Sequence, residues 1–197
     1  MMRVGKLSRW VRMGVLGLSG LLLVTGMALA KGPNEVLVAK LKAEKKCPKC
    51  DLQYTDWQGA DLTGAELSGA FFLKSRMGGV KLVEAKLVWS NLEATDLVEA
   101  DLSRADLTGA DLRQADLSRA RMVKAYLYGA NMAEAKVGGA DLTEAFMKGV
   151  NLTGADLRGA NLKGANLERV VLTNALLDGA VWIDGRTCAP QSKGSCQ

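Results

Sequence analysis

Residues 100–120 read ADLSRADLTGADLRQADLSRA, in which the five-residue pattern Ala-Asp-Leu-x-x occurs four times in succession. Working outward, the same phase holds without a slip from Cys50 to Trp182. All 27 central positions, from Leu52 to Trp182, are apolar, and 19 of them are Leu. The position two residues before each centre is always compact, and it is Ala in 19 of the 27 cases. A fixed short period of this kind decides the architecture before any single residue is considered.

A period of five matches neither the 3.6 residues of a helical turn nor the two-residue alternation of a strand. A chain that turns a corner every five residues can send every central and every small residue to the inside. Gly, Ser, Thr and Asn between the centres suit such corners, because Gly accepts a positive φ and the others hydrogen-bond to nearby backbone. The sequence therefore predicts a solenoid lined by Leu and Ala.

The pattern resembles that of the pentapeptide repeat family, whose consensus is A-[DN]-L-x-x. This resemblance implies an all-β fold, a right-handed quadrilateral parallel β-helix with four pentapeptides in each coil. With four per coil, the 27 repeats make about 6.75 coils. At roughly 4.8 Å between stacked strands, the solenoid is about 32 Å long.

The first thirty residues predict a secretory signal peptide. They begin with four basic residues and no acid, continue with an apolar run over 13–27, and end in Ala28-Leu29-Ala30. A basic start, an apolar segment and a small-residue site are typical of a signal peptide cleaved, here, after Ala30. The alternative is an uncleaved membrane anchor, although the apolar run is short for a spanning helix. We therefore expect a periplasmic or secreted protein.

Removal of the predicted signal peptide changes the net charge of the chain. The whole chain has 26 basic and 21 acidic residues, a net charge of +5. Without the four basic residues of segment 1–30, 22 remain against 21, a net charge of +1. A nearly neutral mature chain gives no basic stripe for nucleic acid.

The sequence divides into a signal peptide at 1–30, an N-terminal cap at 31–49, the β-helix at 50–182 and a C-terminal cap or tail at 183–197. Residues 35–46 hold apolar residues among Ala and Lys, and they predict a short helix. A β-helix has open ends that must be covered, so we interpret this helix as a cap. A helix that binds a partner is the alternative.

Four Cys in an exported chain favour disulfides. Cys47 and Cys50 lie at the first coil, while Cys188 and Cys196 follow the last. If the solenoid is about 32 Å long, bonds between the two pairs are excluded, because bonded Cα atoms lie within about 7 Å. We predict Cys47–Cys50 and Cys188–Cys196, with a buried free thiol at Cys50 as the alternative.

Outward aromatic residues give a candidate contact surface, which comprises Phe71, Trp89, Tyr126, Tyr128 and Phe146. With four repeats per coil, residues twenty apart stack on one side, so Tyr126 and Phe146 share a column. Phe71 and Trp89 belong to the stretch 71–89, where larger residues replace the usual small or acidic ones. The alternative is drift in a tolerant repeat. The same stacking predicts three ion pairs: Glu84–Arg104, Glu99–Arg119 and Lys124–Glu144.

The sequence predicts no enzyme, no catalytic residue, no cofactor and no metal site. It has no His, no phosphate-binding loop and no nucleophile beside a base. The C-x-x-C pair at Cys47 lacks the following His of a c-type haem site, the βαβ setting of a thioredoxin-like site, and a second nearby pair for zinc.

We predict a non-enzymatic, exported structural or protein-interaction module with an unknown protein partner. We expect no nucleic-acid partner, membrane contact only through the signal peptide before cleavage, and leave a homodimer open. The alternative is a DNA-mimic-like regulator or inhibitor of a nucleic-acid enzyme such as gyrase, because some family members resemble duplex DNA in shape and charge. The export signal and a charge near zero oppose that alternative.

Overall fold

A computed structural model describes residues 33–197 of the 197-residue chain. The predicted signal peptide, 1–30, lies outside the described residues. In the part that is described, no helix combines the length and apolar character needed to cross a bilayer.

The described chain opens with helix α1, Pro33–Glu44. A proline suits the first helical position, because its missing N–H is not needed there and its φ is already helical. Leu41 is fully buried, and the partly buried Leu37 and Val38 pack against the same apolar core. The helix ends where Lys45 takes a φ of 52° while its N–H donates to the carbonyl of Leu41 at 2.8 Å. A residue of positive φ with this hydrogen bond is a common helix terminus.

After the helix, one residue in every five forms a parallel β-bridge to the residue twenty positions later. The series runs from Lys46↔Glu66 to Asn161↔Val181. Within residues 33–197 the sheet consists of these single bridges rather than of continuous strands. Because a residue returns above itself after twenty positions, each coil has four sides, and each side is one pentapeptide. The ladder already includes Lys46 and Cys47, just before Cys50.

Four backbone hydrogen bonds recur from coil to coil, one of which joins the N–H of Gly64 to the carbonyl of Val83 at 2.8 Å. The N–H of Leu62 donates to the carbonyl of Lys81 in the next coil at 2.7 Å, and the N–H of Lys81 donates back to Ala60 at 2.9 Å. The N–H of Ala65 donates to Leu62 at 3.0 Å and closes a four-residue turn. The third residue of that turn has a positive φ, 68° at Gly64, as a type II turn requires. The corners are thus β-turns, and the sides between them carry the ladder.

The core is the column of central and small residues inside the coils. From Leu52 to Leu162 all central residues are at most 1% exposed. The last coil differs, because Leu167, Leu172 and Trp182 are only partly buried. Burial of a Leu side chain contributes about 1.5–3 kcal/mol relative to exposure, so the stacked columns are the main source of stability.

Two disulfides lie at the ends of the ladder, and both have the predicted partners. Cys47 and Cys50 are joined with Cα atoms 5.5 Å apart, and Cys188 and Cys196 with Cα atoms 4.9 Å apart. The C-terminal tail folds back on the last coil through the antiparallel bridges Leu176↔Lys193 and Val181↔Thr187. Cys188 and Ser192 of this tail are buried, so the tail covers part of that end.

Candidate interaction surface

Four of the five predicted contact residues lie together on one side of the solenoid and on the corner that follows it. Tyr126 and Phe146 bridge each other, and their rings stack with centroids 4.9 Å apart and planes 7° apart. Tyr128, on the corner, lies 6.3 Å from the Tyr126 ring and 6.1 Å from the Phe146 ring. Aromatic contacts of this kind add about 0.5–1.5 kcal/mol beyond area burial. The three rings therefore form one rigid cluster.

Trp89 lies on the same corner as Tyr128, two coils earlier and one position later in the turn. Its N–H donates to Thr108, and that of Gly109 donates to Tyr128, so Trp89, Gly109 and Gly129 lie one above another. A methyl group on Gly109 would overlap three atoms of the indole six-membered ring, Cδ2, Cε3 and Cζ3. The indole therefore lies over Gly109 and can do so only because that residue has no side chain. Trp89 nevertheless remains 73% exposed.

We call Trp89, Tyr126, Tyr128 and Phe146 the aromatic surface. Its members extend over 58 residues of sequence, yet the twenty-residue coil brings them to one side and its adjoining corner. Tyr126 and Tyr128 are 42% and 37% exposed. Beyond Tyr128 the corner is open, since a side chain at Gly129 or Gly149 would meet nothing within 4 Å. The surface thus combines a raised aromatic cluster with an unobstructed corner beside it.

Phe71, the fifth predicted contact residue, lies on the neighbouring side. Its bridge partners are Asp51 and Asn91, and it is 44% exposed. Sequence reasoning also missed Tyr54, which is 69% exposed on the corner that follows the neighbouring side. Tyr54 is the third residue of a turn, with a φ of 58°; assigning each repeat position to a side or a corner would have revealed it.

The aromatic side differs in charge from the other three. Between residues 46 and 182 it carries five basic and three acidic residues, a net charge of +2. The two sides that follow it along the coil each carry a net charge of −2, and the remaining side is balanced. Lys86 and Lys148 flank the aromatic surface, and each pairs with a carboxylate, Glu66 at 3.6 Å and Glu168 at 2.9 Å.

The three ion pairs predicted from twenty-residue stacking are confirmed. Arg104 lies 3.2 Å from Glu84, Arg119 lies 2.9 Å from Glu99, and Lys124 lies 3.2 Å from Glu144. All six side chains are largely exposed, so each pair contributes about 0–1 kcal/mol. Each pair joins residues twenty positions apart and so shows how neighbouring coils are aligned.

A shallow depression lies over Ser103 and Val123 on the balanced side, and basic side chains surround it. Arg104 and Lys124 pair with the carboxylates of the neighbouring coils just described, and Arg121 lies 3.7 Å from Asp101. Because each cation already has an acidic partner, the depression lacks the uncompensated charge that would bind an anion.

The Asp side chain of the repeat accepts a hydrogen bond from the backbone N–H two residues later. At Asp61 the carboxylate accepts the N–H of Thr63 at 2.9 Å, and this backbone hydrogen bond lowers the Asp61 pKa to about 2. At Asp156 hydrogen bonds from the Arg158 guanidinium, 2.6 and 2.8 Å long, lower the pKa of the carboxyl. A carboxylate that is stabilised as an anion in this way is a poor proton donor near neutral pH. These carboxylates therefore stabilise the turns of the repeat as charged hydrogen-bond acceptors.

Over residues 33–197 no cluster of three or more His, Cys, Asp or Glu is placed to hold a metal ion. The described surface thus offers an aromatic contact area and paired charges.

Sequence comparison assigns the class of protein that this fold defines. The profile of the family described as "Pentapeptide repeats" matches eight copies, over residues 49–82, 85–122, 110–149, 120–159 and 151–181. These matches include most of the chain. The chain belongs to the pentapeptide repeat family, whose members form right-handed β-helices and are generally structural or interaction modules rather than enzymes.

Solved structures of the same family are similar to the chain. HetL from the cyanobacterium Nostoc sp. strain PCC 7120, involved in heterocyst differentiation regulation, is 28% identical, with 78% of this chain and 98% of that one covered and a TM-score of 0.23. Rfr23 from the cyanobacterium Cyanothece 51142 is 27% identical, with 74% and 96% covered and a TM-score of 0.25. Full-length QnrB1, a plasmid-mediated fluoroquinolone resistance protein, is 18% identical, with 71% and 78% covered and a TM-score of 0.30. Among proteins of curated function, none matches this chain.

Proposed function

We propose that the protein is an exported bacterial interaction module, without enzymatic activity, that binds a protein partner through the aromatic surface. The observation that carries this proposal is the gathering of Trp89, Tyr126, Tyr128 and Phe146 on one side. Large exposed aromatic residues are rare on the surface of a repeat whose outer positions are mostly small or charged. Such residues are enriched where proteins bind one another.

The charge of the aromatic side adds to the proposal. It is the one positive side of the ladder between residues 46 and 182, so we propose a partner with acidic groups around an apolar contact. Complementary charge would steer the partner toward this side and away from the two acidic ones. The DNA-mimic alternative has no observation in its favour, because a duplex-like surface needs a strong negative field on all sides.

Localisation in the periplasm or outside the cell rests on the amino-acid sequence of 1–30. We propose cleavage after Ala30, which predicts a mature protein that begins at Lys31. Mass spectrometry of the protein purified from the cell envelope tests this step. A mass that starts at Met1 would contradict cleavage and favour the anchor. A homodimer stays a prediction of the sequence.

Site-specific photo-crosslinking tests the aromatic surface. A benzoylphenylalanine at Tyr128 places the crosslinker beside the stacked rings. One at Tyr54 is the matched control, because it also replaces an exposed tyrosine on a corner, but on the corner that follows the neighbouring side. We expect one cross-linked species in living cells at Tyr128 and none at Tyr54. That species should disappear when Tyr126→Ser and Phe146→Ser are added. Equal cross-linking at both positions, or none at Tyr128, would contradict the proposal.

A further inference from the structure

Within residues 33–197, the C-terminal end of the ladder is covered on two of its four sides. On these sides the N–H groups of the last coil donate to carbonyls of the tail. The donor and acceptor pairs are Leu177 and Ser192, Gly179 and Cys188, and Trp182 and Arg186. In the other direction, the N–H groups of Gly194 and Cys188 in the tail donate to the carbonyls of Ala175 and Ala180. On these two sides the tail takes the place of a further coil.

The other two sides, which contain Leu167 and Leu172, have no such cover within residues 33–197. In every earlier coil the central residue and the third turn residue donate to the next coil, while the small residue accepts from it. In the last coil these groups have no hydrogen-bond partner in the described chain. They are the N–H groups of Leu167, Arg169, Leu172 and Asn174 and the carbonyls of Ala165 and Val170. We call these six groups the open edge.

Apolar side chains accompany the open edge. Leu167, Val170 and Leu172 are only partly buried, whereas their equivalents one coil earlier, Met147, Val150 and Leu152, are fully buried. Val171 beside them is 45% exposed. An unpaired strand edge next to apolar side chains is a template for pairing with another chain.

We infer that the open edge binds an extended, apolar segment of another polypeptide by strand addition. An extended chain presents carbonyls and N–H groups at regular intervals along one of its edges, so it pairs with one side of the coil at a time, either at Leu167 and Arg169 or at Leu172 and Asn174, because a β-turn corner separates these sides. The tail already pairs in this way on the Leu177 side. There its Ser192 and Cys188 carbonyls accept from Leu177 and Gly179, and its Gly194 N–H donates to the carbonyl of Ala175. The partner continues the cover that the tail begins. This site is separate from the aromatic surface.

A second copy of the chain fits the edge less well. Each open edge has four donors and two acceptors, so two edges facing each other bring eight donors against four acceptors. At most half of the donors would find a partner in such a ladder. Buried N–H groups without a partner cost about 1–3 kcal/mol each. An extended peptide has an acceptor available for each donor of the side with which it pairs.

Amide hydrogen exchange of the purified protein tests the inference. The probe is the peptide Lys-Thr-Val-Thr-Val-Thr-Lys, acetylated and amidated at its ends, at concentrations up to millimolar. We expect the amides of Leu167, Arg169, Leu172 and Asn174 to exchange fast in the free protein. At saturation the two amides of at least one side, Leu167 with Arg169 or Leu172 with Asn174, should exchange at least tenfold more slowly. The equivalent amides one coil earlier, Met147, Gly149, Leu152 and Gly154, already donate and should not change.

Two N-methylated versions of the probe distinguish strand addition from apolar contact. One carries methyl groups on the Val nitrogens and the other on the Thr nitrogens, which lie on opposite edges of an extended peptide. Strand addition predicts that one version still protects the amides that the parent peptide protects and the other does not. Equal behaviour of the two versions, or no protection by the parent peptide, would overturn the inference. So would protection of the four amides in the protein alone, together with a dimer in sedimentation velocity.

Discussion

At the scale of single residues, the corner glycines differ in what they make possible. Gly109 and Gly129 occupy the same corner column, one coil apart, with φ values of 66° and 62°. Only Gly109 has the Trp89 indole against it. The absence of one Cβ atom therefore determines where an aromatic side chain of the candidate surface lies.

Gly109→Ala should destabilise the protein more than Gly129→Ala. Both substitutions place Ala at a positive φ, at a cost of about 1–2 kcal/mol. Only Gly109→Ala also displaces the indole, so its melting temperature should be the lower of the two. The indole N–H resonance of Trp89 should move in Gly109→Ala and stay in Gly129→Ala. Equal melting temperatures with an unmoved resonance in both variants would show that Trp89 does not rest on Gly109.

Asp61 gives a prediction for acid pH. Its folded pKa of about 2 lies below the ordinary value of 3.8, because the Thr63 N–H stabilises the carboxylate. A group whose pKa is depressed by folding stabilises the fold above its ordinary pKa, and this contribution is lost as the pH falls toward the folded value. We expect the melting temperature of the wild type to fall more steeply between pH 4 and pH 2 than that of Asp61→Asn. A carboxyl carbon titration by NMR with a midpoint near 3.8 for Asp61 would contradict this.

At the scale of the repeat, polar residues at small positions satisfy buried groups near the first coil. The indole N–H of Trp57 donates to Thr55 at 2.6 Å, and the Thr55 hydroxyl donates to the carbonyl of Leu52. Trp57 is 1% exposed and meets Phe72 edge to face. Thr thus replaces the usual Ala at position 55 because Trp replaces the usual Leu at position 57, and the buried indole N–H needs an acceptor.

Thr55→Val should therefore be coupled to Trp57→Phe. In the wild type, Thr55→Val leaves a buried indole N–H without a partner, at a cost of about 1–3 kcal/mol. In the Trp57→Phe background that N–H is absent, so the same substitution should cost at least about 1 kcal/mol less. Urea unfolding of the four proteins measures this coupling. Additive changes in the free energy of unfolding would mean that the hydrogen bond contributes nothing.

The sequence predicts the interior of each repeat better than its exterior. The Leu and Ala columns follow from the period alone, because every repeat must bury the same two positions. The disposition of the aromatic residues does not, since Trp89 and Tyr128 fall on the same corner only once corners are distinguished from sides. The stretch 71–89 is divided in the same way, because Phe71 lies on a side of the coil and Trp89 on the corner that precedes that side.

At the scale of the whole molecule, the ends are the least predictable part. The sequence indicates that both ends need covers, and it predicts α1 within two residues of its observed start. It does not reveal that the tail pairs with two sides and leaves two open, because tail pairing depends on contacts between non-repeating residues. The two proposed binding sites thus differ in origin: the aromatic surface comes from periodic stacking, and the open edge from the loss of the period.

Both sites depend on one claim, that residues twenty apart lie one above the other. Proton–proton nuclear Overhauser effects in the purified protein test it most directly. The four-sided coil predicts cross-peaks from the Trp89 ring to the Hα atoms of Gly109 and between the rings of Tyr126 and Phe146. Cross-peaks that instead join Trp89 to residues fifteen or twenty-five positions away, with none to Gly109, would contradict the four-sided coil and the aromatic surface built on it.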